Sequence, residues 1–464
     1  MFKPDTQHPE YAKYLKDWQR CRDAKEGQSA IHAAKEKYLP RLSGQSNEDY
    51  YAMRDRALFF GATGRTIDGL SGMLFRKPVD IDTGGLDDEI LNDIDLMNND
   101  FQGFAENLAD EILTVGRAGL LVDFPQVETD GLSIAAAREL NARPFIKMHD
   151  AESIVNWHYT RINNRKVLSH VFLAETVEEQ INEYEFKSID QIRLLLLREG
   201  QYVQVIFRQD GQKKWTVYNE VTPRINGKAI NFIPFVFVGA MGMQAQACKP
   251  PLMDLVNANI SHYKTTADLE HGSHFTGLPT AVITGFNNEE DQDFKIGSSS
   301  AWVFSNPETS AFYLEFEGKG LETLQELLKS KENMMAALGS QMLTPDTRRN
   351  EAADTATLRH SGEHATLASV SISVSSALNK ALSYLALWVG AEPAMVELNR
   401  DFMPVKIDPQ MMQQLFLALQ GGRISYQTYF ENLKSGEIIA SDKTVDDELS
   451  EIQSGNTVLD FGGE

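Results

Sequence analysis

The amino-acid sequence predicts an α+β protein whose second half is mainly helical. Three observations carry this. Apolar residues recur at helical spacing between residues 9 and 116, short apolar and β-branched runs fill 117–239, and long helical periods return from 250 onward. A chain of 464 residues can bury a large core and divide into several parts.

Residues 9–41 read as a charged helix carrying Tyr11, Tyr14, Trp18, Ile31 and Tyr38. Residues 47–75 read as a second helix, with Ser46 or Asn47 as its cap and Lys77-Pro78 after its end. Gly61, Gly64, Gly69 and Gly72 in that stretch would let another backbone come close. A third helix over 101–116 places Phe104, Leu108, Ile112 and Val115 on one face and runs into a strand, GLLVDF. Further strands are expected at 144–149, 166–175, 191–199, 202–209, 214–219 and 232–239, with Asp210-Gly211 as a hairpin signal. Pro250-Pro251 opens a long helix with Leu252, Val256, Ile260, Tyr263 and Ala267 on one face. Its other face shows Asp254, Asn257, Ser261, Lys264 and Asp268. A small strand-like insertion follows, then a helix over about 321–341, a polar loop and a long helix over about 355–389. The helices flanking the insertion are expected to pack antiparallel as a stalk. Helices at 408–420 and 425–434 close the pattern.

Composition narrows the function classes. With 42% apolar and 24% charged residues, disorder, a collagen-like chain and a disulfide scaffold are excluded. The net charge of -22 repels nucleic acid at long range, opposite to the balance of a sequence-specific DNA binder. The charge is uneven: residues 1–41 hold nine Lys/Arg against six Asp/Glu, and 437–464 hold eight acids and one lysine. Cys21 and Cys248 belong to no ligand-spaced set, which suits a reducing compartment. The N-terminus does not read as a signal peptide. Segment 366–390 is the one membrane candidate. Its six serines, Lys380 and one-sided apolar stripe (Leu367, Val370, Val374, Leu378, Leu382, Leu385) favour a buried amphipathic helix.

No motif makes a convincing active site. His360-Ser-Gly-Glu363-His364 has the H-x-x-E-H spacing that brings two imidazoles to one helix face beside a glutamate. Gly362 weakens the helix there, and no third zinc ligand is identifiable. His271 and His274 sit three apart near a helix end, where histidines meet terminal carbonyls. Gly61-Ala-Thr-Gly64 follows no strand, and no phosphate-binding loop or nucleophile elbow occurs. Glu289-Glu290-Asp291 reads as a solvated turn. No catalytic, cofactor-binding or metal-binding residues are expected.

Three stretches carry a family resemblance: Tyr50–Pro78 (YYAMRDRALFFGATGRTIDGLSGMLFRKP), Asp150–Arg161 (DAESIVNWHYTR) and Pro250–Gly285 (PPLMDLVNANISHYKTTADLEHGSHFTGLPTAVITG). Over about 40–430 the chain resembles the phage family DUF4055 and, in its order of elements, tailed-phage portal proteins. The resemblance implies a non-enzymatic subunit of a ring, usually of twelve, at one capsid vertex of the virion, assembled in the host cytoplasm. It implies a portal fold: α/β wing over 1–248, stem helices over 249–277 and 318–342, and a small β-containing clip over 278–317 between them. A tunnel loop over 343–354, a long wing helix over 355–390, a helical crown over 391–440 and an acidic flexible tail over 441–464 complete it.

The implied ring conducts double-stranded DNA without sequence preference during packaging and ejection. It docks the terminase large subunit, a head-tail adaptor and the major capsid or scaffolding protein, and needs no membrane. About twelve such chains carry more than about 200 formal negative charges, a wall along which DNA slides rather than sticks. Sparse cations are then the candidate phosphate contacts: Arg348 and Arg349 in the loop, Lys329 and Lys331 on the second stem helix, and Lys264 on the first. The loop's other residues, Thr344, Pro345, Asp346, Thr347, Asn350 and Glu351, are polar where an apolar tip is usual. The rival readings are another virion component, such as a minor capsid or tail-tube protein, and a zinc hydrolase on His360, Glu363 and His364.

Overall fold

The computed structural model describes residues 3–125, 140–277, 280–285, 308–314, 319–340, 353–400, 402, 409–436, 438–439 and 443–455. The chain divides into two units, Met1–Leu398 and Asn399–Glu464.

The first unit begins with helices α1 (Pro9–Glu26) and α2 (Gln28–Ala33), then a short 3-10 turn at Lys35–Lys37. The sequence pattern predicts one helix over 9–41; Gly27, at φ 91°, breaks it. Likewise 47–75 forms two helices, α3 (Asn47–Arg56) and α4 (Ala62–Leu74). Ser46 caps α3, its Oγ accepting from Asp49 N at 3.1 Å. Of the four glycines expected to admit a backbone, Gly64 does so: a Cβ there would lie 2.8 Å from the Lys25 carbonyl. Gly61 and Gly72 face open space. Next come β1 (Asp80–Asp82), α5 (Asp88–Asn92) and α6 (Phe101–Val115), which turns directly into β2 (Arg117–Asp123).

Strands β3 (Phe145–Asp150), β4 (Ile154–Ile162), β5 (Arg165–Asn182), β6 (Glu185–Arg198), β7 (Gln201–Gln209), β8 (Trp215–Val221), β9 (Arg224–Ile225), β10 (Lys228–Ala229) and β11 (Phe235–Gly239) follow. Strand β4 is not among those the sequence predicts, and β5 and β6 run further toward their shared turn than expected. The order β11-β2-β3 makes a three-stranded antiparallel sheet, and β4 to β8 form a five-stranded meander. Asp210 closes the β7–β8 turn, its carboxylate accepting from Gln212 N and Lys214 N at 2.9 Å each.

The chain continues through α7 (Met253–Gly277), the pair β12 (Thr280–Thr284) and β13 (Ser310–Leu314), α8 (Lys319–Met335) with a π turn at Ala336–Ser340, α9 (Ala353–Val389) and β14 (Met395–Glu397). Leu367, Val370, Val374, Leu378, Leu382 and Leu385 of α9 are all buried. Its serines serve as tethers: Ser373 Oγ donates to Gly239 O at 2.5 Å, and Ser375 Oγ accepts from Leu398 N at 3.0 Å. No helix among the described residues is long and apolar enough to cross a membrane.

The second unit holds α10 (Pro409–Gln420), α11 (Tyr426–Ser435) and α12 (Val445–Gly455). Ser425 caps α11, and Lys443 pairs with Glu448 and Glu451 at the start of α12.

Buried charge networks join the elements of the first unit. Arg22 of α1 bonds both oxygens of Glu111 on α6 (2.9 and 2.6 Å) and both of Glu152 in the β3–β4 turn (2.7 and 2.6 Å). Buried Glu175 of β5 accepts from Lys147 at 2.9 Å and from Gln191 and Arg193 at 3.0 Å each. Burial alone would raise its carboxyl, but Arg193 and Lys147 outweigh that and pull it down to about 2. His149 on β3 is pushed down to about 4 by burial, reinforced by Lys147.

Both groups bind fewer protons folded than unfolded, so acid destabilises this unit in two stages. Stability is full above pH 6.5, falls through His149 between 6.5 and about 4, and falls through Glu175 between 4.5 and about 2. Each limb is worth at most about 3 kcal/mol. Urea midpoints measured against pH should therefore decline from 6.5 downward. His149→Phe should flatten the upper limb and Glu175→Gln the lower; a wild-type profile level from pH 6.5 to 4 would refute the assignment of His149.

Candidate functional site

The sequence gives helix α7 two faces, one apolar and one polar. Val256, Ile260, Tyr263 and Ala267 are buried accordingly. On its remaining surface Leu255, Ala258, Asn259, His262, Thr265 and Thr266 are buried as well. The reason is that α7 packs against α1, α3 and α4 on one side and against α8 on the other.

Helices α7 and α8 run antiparallel, as the order of their paired residues shows. Leu321 fills the space beside Gly272, Lys331 reaches Ser261 and Thr265, Glu332 faces His262, and Met335 packs with Leu255 and Ala258. The end nearest Gly272 carries the β12–β13 pair, in antiparallel register from Thr280–Leu314 to Thr284–Ser310. The result is a two-helix arm with an antiparallel pair of strands at one end. The opposite end is held by the helices of the α+β unit.

That attachment turns on one amide. Asn259 is fully buried on α7. Its Nδ2 donates to Phe60 O at 2.7 Å, and its Oδ1 accepts from Thr63 N at 3.1 Å and Thr63 Oγ1 at 2.9 Å. The two backbone groups are freed where α3 stops and α4 begins. The amide therefore supplies the partners that a continuous helix would have supplied itself. Ala62, Leu255, Ala258 and Met335 enclose the junction in an apolar cluster.

The candidate cations fall in different places. Lys331 is half-buried on the seam between the helices, donating to Ser261 O at 3.0 Å and Thr265 Oγ1 at 2.5 Å. Burial lowers its pKa, helped by Lys264 and opposed by Asp268. Beside it, burial lowers the pKa of His262 despite Glu332 at 3.6 Å. Lys329 is exposed two residues earlier on α8. Lys264 is exposed on α7 and lines a cleft of about 560 Å³ with Lys16, Arg20, Lys37, Tyr38 and Ile260. Arg348 and Arg349, with Thr344, Pro345, Asp346, Thr347, Asn350 and Glu351, lie outside the described residues. The structure thus brings Lys264 near Lys331 and leaves Lys329 apart.

The zinc motif lies on the backbone of α9, but the side chains of His360, Glu363 and His364 are outside the described ones. Among the described residues no group of three or more His, Cys, Asp or Glu is placed to hold a metal ion. His271 and His274 lie in the last two turns of α7. Cys21 is buried against Met253, its thiol pushed up to about 12 chiefly by burial.

Sequence reading misses Asn259 and His262. The signal is present: both are polar residues within the helical spacing that runs from Leu255. Residues 251–389 match the profile of a domain of unknown function, DUF4055. The matched segment covers α7, α8 and α9. A search of curated proteins finds no match. Several solved structures are similar. One is the virion of a native gene transfer agent particle, at 9% identity and TM-score 0.41, covering 86% of this chain and 96% of that one. Another is the neck of an empty particle of the same kind computed with C6 symmetry, at 10% identity and TM-score 0.41, covering 85% and 96%. A third is the neck of the native particle computed with C12 symmetry, at 10% identity and TM-score 0.39, covering 83% and 93%.

Replacing Asn259 by Ala leaves the buried Thr63 amide and hydroxyl without their acceptor, while the Phe60 carbonyl keeps its bond from Ala62 N. Unsatisfied groups of this kind cost roughly 1–3 kcal/mol each. Asn259→Ala should lower unfolding free energy by about 2–4 kcal/mol in urea titration, while Asn257→Ala on the exposed face should change it by less than about 0.5 kcal/mol. Equal effects of the two would remove Asn259 from its role.

Proposed function

We propose that this chain is the portal subunit of a tailed-phage-like particle, a non-enzymatic structural protein that forms a ring at one capsid vertex. The observation that carries the reading is the antiparallel arm of α7 and α8, held by an α+β unit at one end and bearing an antiparallel pair of strands at the other. This is the stem-and-clip order that the sequence resemblance implies. The profile match over 251–389 coincides with the arm and the long helix after it.

Charge supports the same reading. A chain of net charge -22, repeated around a ring, offers DNA a repulsive wall rather than a binding surface. Transient phosphate contacts then fall to few cations. We assign them to Arg348, Arg349 and Lys329. Lys331 acts instead between the helices, because its ammonium is already held by Ser261 and Thr265. The strand-bearing end of the arm is the proposed docking end for the packaging motor during filling and for the head-tail adaptor afterwards.

Electron microscopy of the purified full-length protein should give ring-shaped top views, twelve-fold being the expected symmetry. Compact monomers alone at high protein concentration would overturn the proposal, and a six-fold ring would favour a different virion component. In assembled rings, Arg348→Ala with Arg349→Ala should reduce the salt dependence of DNA association. The log-log slope should become shallower by about 0.9 for each phosphate that is no longer neutralised, with ring formation unaltered. An unchanged slope would remove the pair from the DNA path.

A further inference from the structure

The β5–β6 hairpin outruns its sheet. Strand β4 pairs with β5 only as far as Leu173, and β7 pairs with β6 only from Gln191. Residues 176–190 therefore pair only with each other, from Thr176–Asp190 to Asn182–Glu185. At about 3.3 Å per residue this two-stranded ribbon projects roughly 20 Å. An unsupported ribbon is marginal in water. This one also exposes three large apolar side chains near its tip: Ile181 at 62%, Tyr184 at 82% and Phe186 at 61%. Along the ribbon stand five acids, Glu178, Glu179, Glu183 and Glu185 toward the tip and Asp190 at the base, against Lys187. Arg208 pairs with Glu179 from the sheet side, so the acidic excess concentrates toward the tip.

The cleft beside Lys264 has the complementary character. Lys16, Arg20, Lys37 and Lys264 surround it, with Tyr38 and Ile260 among its lining residues. Two acids partly offset them: Asp17 stands 3.8 Å from Arg20, and Asp23 pairs with Lys37 at 2.8 Å. Four cations against two acids is a local reversal in a chain of net charge -22. An acidic ribbon and a cationic cleft match in charge, while Tyr38 and Ile260 at the cleft are already buried in the protein's own core.

We propose that the acidic β5–β6 ribbon of one copy docks into the Lys16–Arg20–Lys37–Lys264 cleft of the next. The two surfaces differ, so the contact is head-to-tail, the type that closes into a ring when its rotation allows. The proposal rests on the ring reading above and specifies which surfaces join the subunits. The occupant is a second copy rather than DNA because the ribbon tip has apolar side chains to bury as well as charge to neutralise.

Charge reversal in the full-length protein tests this. Lys16→Glu with Lys264→Glu makes a cleft variant, and Glu178→Lys with Glu183→Lys makes a ribbon variant. Sedimentation velocity of each variant alone should show assembly weakened at least ~10-fold, with circular dichroism unchanged. Mixing the two should restore assembly, because each then presents the charge the other requires. All four substitutions in one chain should restore it as well. Rescue excludes simple misfolding. Single variants that assemble like wild type, or a mixture that stays monomeric, would overturn the proposal while leaving the ring reading intact. A cleft variant that assembles normally but loses DNA association would overturn it and assign the cleft to nucleic acid. A wild type that never assembles would overturn the ring reading itself.

Discussion

The position of the helix arm depends on the amide of Asn259. A helix break frees backbone donors and acceptors, and a buried break leaves them without water. Here the break between α3 and α4 is buried against α7, and one side chain satisfies three of its groups. An apolar residue at 259 would fill the same space and leave both Thr63 donors without an acceptor. The arm and the N-terminal helices are therefore specified together. The hydrogen bonds demand that α7 sit at one rotation and one height, which ordinary apolar contact would not fix. Met335 of α8 closes the same junction, so the second helix inherits its register from the first.

Charge fixes the rest of the first unit in a similar manner. Arg22 is held by two bidentate carboxylates that come from α6 and from the β3–β4 turn. Three separate elements thus meet at one guanidinium. Glu175 gathers Gln191 and Arg193 from the neighbouring strand β6 and Lys147 from β3 of the three-stranded sheet. Arg117 provides a contrast. At 2% exposure it sits over the Trp157 and Phe237 rings, 4.1 and 5.3 Å from their centres, and donates to the Ala245 carbonyl. Burial brings it down to about 10, well below an ordinary arginine. Its neighbours are aromatic faces and a carbonyl, a softer arrangement than the paired carboxylates around Arg22.

The periodic parts of this fold are legible in the sequence. Helix α9 and its six-residue apolar stripe follow from 3.6-residue spacing alone, and α6 with its exit into β2 follows from spacing plus Gly116. Periodicity does not reveal where a helical pattern is interrupted. Residues 47–75 keep helical composition throughout, and the restart at Ala62 is supported by Asn259, about two hundred residues away, through Phe60 O and Thr63. The outer halves of β5 and β6 escape for the opposite reason. Their polar, exposed residues carry no burial signal, since they pair only with each other. Lys331 shows the same limit at the level of a site. Its spacing beside Lys329 suggests an outward pair, but a lysine's long stem lets the charge turn back to a neighbouring helix.

The unevenness of charge along the chain acquires a structural meaning from these placements. An acidic total prevents any large surface from gripping a polyanion, and it also makes identical copies repel. Association of such chains requires that the few cations be collected rather than scattered. The basic excess of residues 1–41 does this by folding Lys16, Arg20 and Lys37 of the N-terminal segment against α7, where Lys264 adds a fourth charge. Lys331, the next lysine inward, is withdrawn into the helix seam. The arm thus presents one concentrated cationic cleft at its attached end and isolated Lys329 further along α8. Because the acidic ribbon and the cleft belong to different parts of the same unit, their attraction has a direction. Screening over about 10 Å at moderate salt would confine that attraction to copies already close to register, so in the proposed docking the long-range repulsion between chains and the short-range match between ribbon and cleft both arise from one charge distribution.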